Sequence, residues 1–193
     1  MPYVRYIILI CLLALGSQAS AQLGKPLPPD YRRWSSVKRL QVSDFQLRMR
    51  PRNNLNHSFG HFGLQMNGRV ADLFGKKGNQ LVQNVFYRAG SYLDSTSQLG
   101  MELQLRYLQT LWDLDEVAAR QLRQQLRASA KRIVLIGKPD INDLFREAYE
   151  AATKRQAQYT DETNYGLFVD KQENWERAIA AELAALQAFA VPD

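Results

Sequence analysis

The stretch RYLQTLWDLDEVAARQLR, residues 106–123, decides the fold because its apolar residues recur at every third or fourth position. The same apolar stripe extends beyond this segment in both directions: Leu99, Leu103, Tyr107, Leu111, Leu114, Leu122 and Leu126. This spacing is typical of one face of a long helix packed on a core. Cations from Arg120 to Arg132 fill its far end, where they suit the helix dipole. Ser95 or Ser97 is a candidate for its N-cap.

The chain before this helix alternates short apolar stretches with Gly, Asn and Pro, a pattern typical of strands and turns. Four segments fit the pattern and predict strands or strand-like pieces: residues 36–46, 59–68, 69–74 and 79–93. The pair Asn67-Gly68 predicts a hairpin turn, because both residues tolerate the left-handed conformation that tight turns need.

The chain after the long helix is also expected to be mainly helical. Residues 133–139, IVLIGKP, break the pattern and predict a short strand or a packed linker. A second helix is expected from Asp140 and a third from near Asp170, with a polar, turn-like segment at 159–166 between them. Because the strands come first and the helices later, the sequence predicts an α+β fold, with N-terminal antiparallel strands packed on the long helix and two further C-terminal helices.

The first residues predict export. Arg5 is followed by an uncharged apolar run and then by Ala19-Ser20-Ala21, the arrangement of a signal-peptide cleavage site. We therefore expect residues 1–21 to be a signal peptide cleaved near Ala21-Gln22, and the mature chain to be secreted or periplasmic without a transmembrane segment. Residues 22–33 are expected to form an extended, proline-rich leader, and residues 34–193 a single domain.

Composition restricts the chemistry of the mature chain. Cys11 is the only cysteine and lies in the predicted signal peptide, so no disulfide, thiolate nucleophile or cysteine metal site is expected. The formal net charge is +6, with Arg5 contributing one unit. Such a surplus favours anionic surfaces, for example phosphate-rich polymers or lipid headgroups. The cations are not interleaved with aromatic residues, which argues against nucleic-acid binding.

Two arrangements of polar residues leave catalysis open as a hypothesis. His57 and His61 are the only histidines, and in a strand they would lie about 13 Å apart, which favours a surface role. A relocated zinc site that combines both histidines with Glu116 is one hypothesis. A hydrolase with paired carboxylates is another, and its candidates are Glu102, Asp113, Glu116 and Glu162.

Four groups of residues agree in order and spacing with the motifs of a known family. They are Ser43-Asp44-Phe45; Trp112-Asp113 with Glu116, Ala119-Arg120 and Leu122-Arg123; Glu162-Thr163-Asn164-Tyr165-Gly166; and Gln172-Glu173-Asn174-Trp175. By these motifs the chain resembles a family of secreted bacterial proteins described as zinc-dependent proteases. In that family the long helix carries H-E-x-x-H-F-D-x-x-E, and the C-terminal turn reads E-T-N-H-G. The resemblance covers most of the mature chain and implies a zincin-like scaffold.

The departures from the family fall on the residues that carry its chemistry. Tyr107 and Leu111 stand where the two helix histidines belong, Leu108 replaces the glutamate base, and Tyr165 replaces the histidine of the turn. Neutral tyrosine and leucine cannot rebuild a histidine site for zinc, and the loss of the glutamate removes the proton acceptor. The resemblance therefore implies a pseudoenzyme without metal or other cofactor. Its vestigial cleft would be lined by Tyr107, Leu108, Leu111, Glu116 and Tyr165.

The function implied by the resemblance is non-catalytic. The cleft would bind a protein, a peptide or an anionic envelope component. The alternative is an active hydrolase that uses relocated metal ligands or paired carboxylates, and a third possibility is a structural envelope protein without a defined ligand. Taken without the family, Tyr107, Leu111 and Leu114 are a plain core face. The neighbouring Asp113, Asp115 and Glu116 would then form a solvated acidic patch.

Overall fold

The computed structural model describes residues 26–49, 58–75, 77–94 and 98–192. The predicted signal peptide, residues 22–25 of the leader, His57, Ser95 and Ser97 lie outside these ranges. The described strands are β1 (Tyr31–Arg33), β2 (Leu47–Met49), β3 (Phe59–Met66) and β4 (Val82–Asp94). The described α-helices are α1 (Gln98–Ile136), α2 (Ile141–Thr163) and α3 (Val169–Ala185). Short 3-10 helices lie at Val42–Asp44, Val70–Phe74, Gly78–Leu81 and Gln187–Phe189. The fold is therefore α+β, as the sequence predicts.

The long strand β4 is the centre of the sheet. Val85 pairs with Arg33 of β1 on one side and with Gly63 of β3 on the other, both in antiparallel register. The short β2 runs parallel to the end of β4, with Leu47 opposite Tyr92. Because β3 and β1 use opposite sides of β4, β3 lies at one edge of the sheet. The last residues of the predicted leader thus belong to the sheet as β1.

The helix α1 carries the core of the molecule. Near its middle, Trp112 is fully buried and its ring lies 5.7 Å from the rings of Phe62 and Phe86, which belong to the sheet. Further along, Leu122 and Leu126 pack in a second cluster with residues that precede β4 and residues of α2. Apolar burial of this kind is the dominant favourable term in folding. The stripe quoted from the sequence is therefore the face that holds sheet and helices together.

Two of the predicted strands are wrong, because short polar caps fold them into 3-10 turns. In residues 36–46, the carboxylate of Asp44 accepts the backbone N–H of Gln41 at 2.8 Å. In residues 69–74, Asp72 accepts the N–H of Arg69 at 2.7 Å in the same way. Aspartate side chains often compete with ladder hydrogen bonds in this manner. The segments predicted at 59–68 and 79–93 do form strands, as β3 and β4.

Two predicted connections also differ from the structure. The strands β3 and β4 pair as predicted, but residues 67–81 separate them, so Asn67-Gly68 does not form a tight hairpin. Residues 133–136 continue α1 instead of forming a strand, since Ile133 extends the buried stripe. Gly137, with φ of 67°, ends the helix and donates its N–H to the carbonyl of Ile133 at 2.9 Å. Among the described residues, no helix combines the length and hydrophobicity that crossing a bilayer requires.

The predicted start of α2 is confirmed, and its end lies later than expected. The carboxylate of Asp140 caps the helix by accepting the N–H of Asn142 at 2.7 Å. The segment 159–166 is not wholly a turn, because α2 continues to Thr163 before the chain reverses at Asn164. The third helix begins at Val169, next to the predicted position.

Candidate functional site

A groove of about 510 Å³ lies between α1, the start of β3 and α2. Four of the five residues that the sequence assigns to the cleft line it: Tyr107, Leu108 and Leu111 on α1, and Tyr165 in the turn after α2. The rings of Tyr107 and Tyr165 lie 5.9 Å apart. Residues from two distant parts of the chain therefore meet in one groove. Glu116 does not line the groove.

The wall formed by β3 exposes the edge of the strand. Phe59, Gly60, His61 and Phe62 all line the groove. Because alternate side chains of a strand point to opposite faces, four consecutive lining residues indicate that the strand edge runs along the groove. Among the described residues, no strand pairs with β3 except β4. The groove thus has main-chain donors and acceptors of β3 beside it.

The opposite wall comes from α2 and mixes aromatic with polar side chains. Tyr149 is 55 % exposed and Tyr165 41 %, so both present ring surface to solvent. The remaining α2 residues of this wall are Thr153, Gln156, Ala157 and Thr160. A concave surface with exposed rings and a few polar groups is typical of a binding site. The groove can therefore hold a ligand by apolar contact and by hydrogen bonds.

Tyr107 is fixed at the floor of the groove as a neutral phenol. Its hydroxyl group lies 2.8 Å from the hydroxyl of Thr160, and its ring stacks on Tyr159 at 5.4 Å. Burial raises the pKa of the Tyr107 hydroxyl above its ordinary value, although the hydrogen bond with Thr160 acts in the opposite sense. The phenolate that a metal ion would prefer is therefore disfavoured at neutral pH.

The turn that carries Tyr165 has an unusual backbone. Asn164, Tyr165 and Gly166 have φ of 47°, 56° and 81°, so three successive residues are left-handed. Such angles are costly for residues other than glycine. The hydroxyl of Thr163 stabilises the turn by accepting the N–H of Gly166 at 3.1 Å. A side chain at Gly166 would place its Cβ 2.9 Å from the Cβ of Tyr107, so the turn touches α1 closely.

The residues that match the family in the C-terminal motifs tie this turn to the core. Gln172 is buried and accepts the hydroxyl of Tyr159 at 2.5 Å. Its amide group donates to Thr110 of α1 and to Glu176, each at 2.9 Å. The indole N–H of Trp175 donates to Glu162 at 2.8 Å. These bonds join α1, α2 and α3 around the turn.

Asp113 plays a similar structural role at the other side of α1. Its carboxylate accepts the indole N–H of Trp34 at 2.8 Å and the amide of Gln109 at 2.9 Å. Arg39 donates to both carboxylate oxygens, at 3.2 and 2.7 Å. Asp113 therefore attaches the N-terminal segment to the long helix and is occupied by these partners.

Glu116 forms a buried ion cluster away from the groove. One of its carboxylate oxygens accepts hydrogen bonds from the guanidinium groups of Arg120 at 3.0 Å and Arg123 at 2.9 Å. All three side chains are almost completely buried from solvent. Arg120 also donates to the carbonyl of Leu183 at 2.6 Å, and Arg123 to that of Val82 at 3.0 Å. The helical spacing of nine residues between Tyr107 and Glu116 places the two on opposite sides of α1. Glu116 thus connects α1 to β4 and α3.

The residues of the groove do not fit a zinc ion. Leu108 and Leu111 offer no donor atom, and the Tyr107 hydroxyl is held by Thr160. Among the described residues, no group of three or more His, Asp or Glu side chains could hold a metal. His61 does line the groove, but Glu116, its partner in the relocated-zinc hypothesis, is committed to the two arginines.

The candidate carboxylate pair does not form either. Asp113 and Glu116 belong to two separate clusters, and Glu162 accepts Trp175 and Gln158 at 2.8 Å each. These two hydrogen bonds lower the pKa of Glu162. Glu102 is exposed near the start of α1. Asp113, Glu116 and Glu162 are thus held by different partners.

Asp115 is a buried carboxyl group beneath the groove, where the sequence predicts a residue of a solvated acidic patch. It is buried, as are Asp113 and Glu116, so the solvated acidic patch is wrong. Its carboxyl group accepts the amide of Gln156 at 2.7 Å, and Gln156 lines the groove. The pKa of Asp115 is raised to about 7, mainly by burial. The hydrogen bond from Gln156 lowers this pKa, and the nearby negative charge of Glu116 raises it further. Its four-residue spacing from Leu111 was the available signal.

A scan against protein-family models and searches of curated proteins and of solved structures found no match for the chain. The zincin-like resemblance therefore stands as a prediction from the quoted motifs.

Proposed function

We propose that the protein is an exported, non-catalytic peptide-binding protein built on a degenerate zinc-protease scaffold. The observation that carries the proposal is the position of the four substituted residues. Tyr107, Leu108, Leu111 and Tyr165 line one groove, in which two leucines and two tyrosines stand at the positions of the metal ligands and base of the family. A scaffold that keeps a groove but lacks these groups can bind without cleaving.

The open edge of β3 favours an extended peptide as the ligand. A peptide laid along β3 would gain main-chain hydrogen bonds by adding a strand to the sheet. Its alternate side chains would meet the exposed rings of Tyr149 and Tyr165 on the opposite wall. Aromatic rings supply large contact areas at low conformational cost.

Selection from a random peptide library on the purified protein tests this proposal. We expect the selected peptides to bind in extended form and to compete with one another for one site. Ala157→Phe should abolish binding, because Ala157 lines the groove and the larger ring would fill it. Ala184→Phe is the matched control, since Ala184 is an exposed alanine of α3 outside the groove.

The same peptides separate the proposal from the hydrolase alternative. Incubation with the wild-type protein should leave them intact, as followed by mass spectrometry. Cleavage that Ala157→Phe abolishes would establish the hydrolase instead. Selected peptides that bind Ala157→Phe as well as the wild type would show that the groove is not the site.

A further inference from the structure

The far end of α1 presents an exposed apolar surface. Leu135 is 80 % exposed and Ile136 66 %, and Val134 beside them also faces solvent. Phe74, at the end of a 3-10 helix packed near α1, is 56 % exposed and lines a depression that includes Lys131. Single exposed apolar residues are ordinary, whereas a cluster of them marks an interaction surface. We call Phe74, Val134, Leu135 and Ile136 the apolar tip.

Cations surround the apolar tip. Lys131 and Arg132 precede Leu135 by four and three residues, so the three side chains are neighbours on the helix surface. Arg127 lies one turn further back on the same face, and Lys138 follows the helix directly. All four cations are exposed. We call Arg127, Lys131, Arg132 and Lys138 the cationic rim.

Carboxylates of the 3-10 helix that carries Phe74 and of the start of α2 have other partners. Asp72 accepts the N–H of Arg69, and Asp140 accepts that of Asn142. Asp143 pairs with Arg146 at 3.0 Å. Within the described part of the chain, no ion pair involves a cation of the rim. The end of α1 therefore combines apolar surface with exposed cations that form no ion pair among the described residues.

The helix dipole explains only half of this combination. Cations in the last turns are stabilised by the negative end of the dipole. The dipole gives no reason for Leu135 and Ile136 to face water. An anionic bilayer would use both features, because apolar side chains enter the boundary between headgroups and acyl chains while Lys and Arg attract the anionic headgroups.

We propose that the end of α1 docks the protein on an anionic lipid bilayer, with the apolar tip inserted and the cationic rim on the headgroups. The docking surface shares no residue with the peptide groove. At 1.5 Å per residue, Leu135 lies about 36 Å along the helix from Leu111. Docking therefore leaves the groove open to solvent, and the two proposals can fail independently.

Flotation of the mature chain, beginning at Gln22, with lipid vesicles tests the proposal. We expect the protein to float with vesicles of equimolar phosphatidylcholine and phosphatidylglycerol, to remain behind with pure phosphatidylcholine, and to dissociate as salt is raised. The double variant Lys131→Glu with Arg132→Glu should weaken binding by about tenfold or more, because it reverses two charges at the surface. Lys154→Glu with Lys171→Glu is the control of equal charge, placed on α2 and α3.

The apolar contribution needs its own pair of variants. Leu135→Ser with Ile136→Ser should weaken binding at low and high salt alike, because it removes the two most exposed residues of the apolar tip. Val37→Ser with Leu167→Ser removes two exposed apolar residues elsewhere and should bind as the wild type does. Circular dichroism confirms that each variant is folded before it is compared.

Three results would overturn the proposal. They are equal binding to neutral and anionic vesicles, absence of binding to either, and equal losses in the control and tip variants. Binding of soluble polyphosphate that depends on the cationic rim, without vesicle binding, would identify a polyanion site in place of the lipid surface.

Discussion

At the residue scale, Gly166 sets how closely the Tyr165 turn approaches the long helix. Its φ of 81° lies in the left-handed region, and a Cβ there would come within 2.9 Å of Tyr107. Gly137 shares the left-handed backbone, with φ of 67°, but a Cβ there would meet nothing within 4 Å. Alanine substitutions at the two glycines therefore distinguish two contributions to the free energy of unfolding: the left-handed backbone, present at both positions, and the contact with Tyr107, present only at Gly166.

We expect Gly166→Ala to destabilise the protein more than Gly137→Ala. The left-handed backbone costs an alanine about 1 kcal/mol at either position. The contact with Tyr107 should raise the cost at Gly166 to about 2 kcal/mol or more. Urea unfolding of both variants measures the difference. Equal decreases in the free energy of unfolding for the two variants would mean that the turn does not pack on α1 as described.

Asp115 makes stability depend on pH. Its folded-state pKa of about 7 lies above the ordinary value of an unfolded aspartate, about 3.9. Between these pH values the folded state binds more protons than the unfolded state, so the free energy of unfolding falls as pH rises. The stability that Asp115 contributes is complete below the lower pKa and is lost as pH passes the upper one.

Asp115→Asn should remove this dependence. The free energy of unfolding of the variant, relative to the wild type, should increase from acidic pH to about pH 7 and level off above it. The total change would be on the order of 4 kcal/mol at most, because each pKa unit is worth about 1.4 kcal/mol. Denaturant unfolding across this range gives the two curves. Parallel curves would show that Asp115 is not buried.

At the scale of elements, the cluster of Glu116, Arg120 and Arg123 joins α1 to its neighbours. Each arginine bonds to Glu116 and also to a backbone carbonyl of β4, α3 or the C-terminal 3-10 helix. Burial lowers the pKa of Arg123, and the nearby carboxylate of Glu116 opposes that change. The positive charges of two buried guanidinium groups are thus balanced by a single carboxylate, that of Glu116.

We expect Glu116→Gln to destabilise the protein by about 3 to 5 kcal/mol, because it leaves both arginines buried without a counter-charge. Glu150→Gln is the matched control: it removes a carboxylate from an exposed pair with Arg146 and should change stability by less than about 1 kcal/mol. Thermal unfolding compares the two. A small effect at Glu116 would contradict the buried cluster.

The same cluster explains why one site residue was misplaced by the sequence analysis. The resemblance groups Glu116 with the cleft because the family motif contains it. Helical periodicity alone places it half a turn from Tyr107. In the structure, the matched residues Asp113, Glu116 and Gln172 bond to the scaffold, whereas the substituted Tyr107 and Leu111 line the groove.

At the scale of the whole molecule, the parts that the sequence predicts are those with local causes. The long helix follows from a stripe repeated over many turns, and α2 from the cap at Asp140. The failures at residues 36–46 and 69–74 come from single aspartate caps that outweigh short apolar runs. The edge position of β3 depends on pairing with β4 across a long connection, which periodicity does not specify.

The meeting of Tyr107 with Tyr165 was predictable only through the resemblance, because 58 positions separate them along the chain. In the structure their rings lie 5.9 Å apart. The burial of Asp115 was missed because a charged residue is typical of a solvated helix face, although its four-residue spacing from Leu111 places it near the groove side of α1. In the folded protein, Gln156 of α2 donates its side-chain amide to the buried carboxyl group of Asp115.

Zinc titration of the native protein beside a four-position reversion tests the central claim most directly. The reversion combines Tyr107→His, Leu108→Glu, Leu111→His and Tyr165→His, and circular dichroism must show that it is folded. We predict that the native protein takes up no stoichiometric zinc and that the folded reversion binds one ion per chain. One tightly held zinc ion per native chain, or a folded reversion that binds none, would contradict the account.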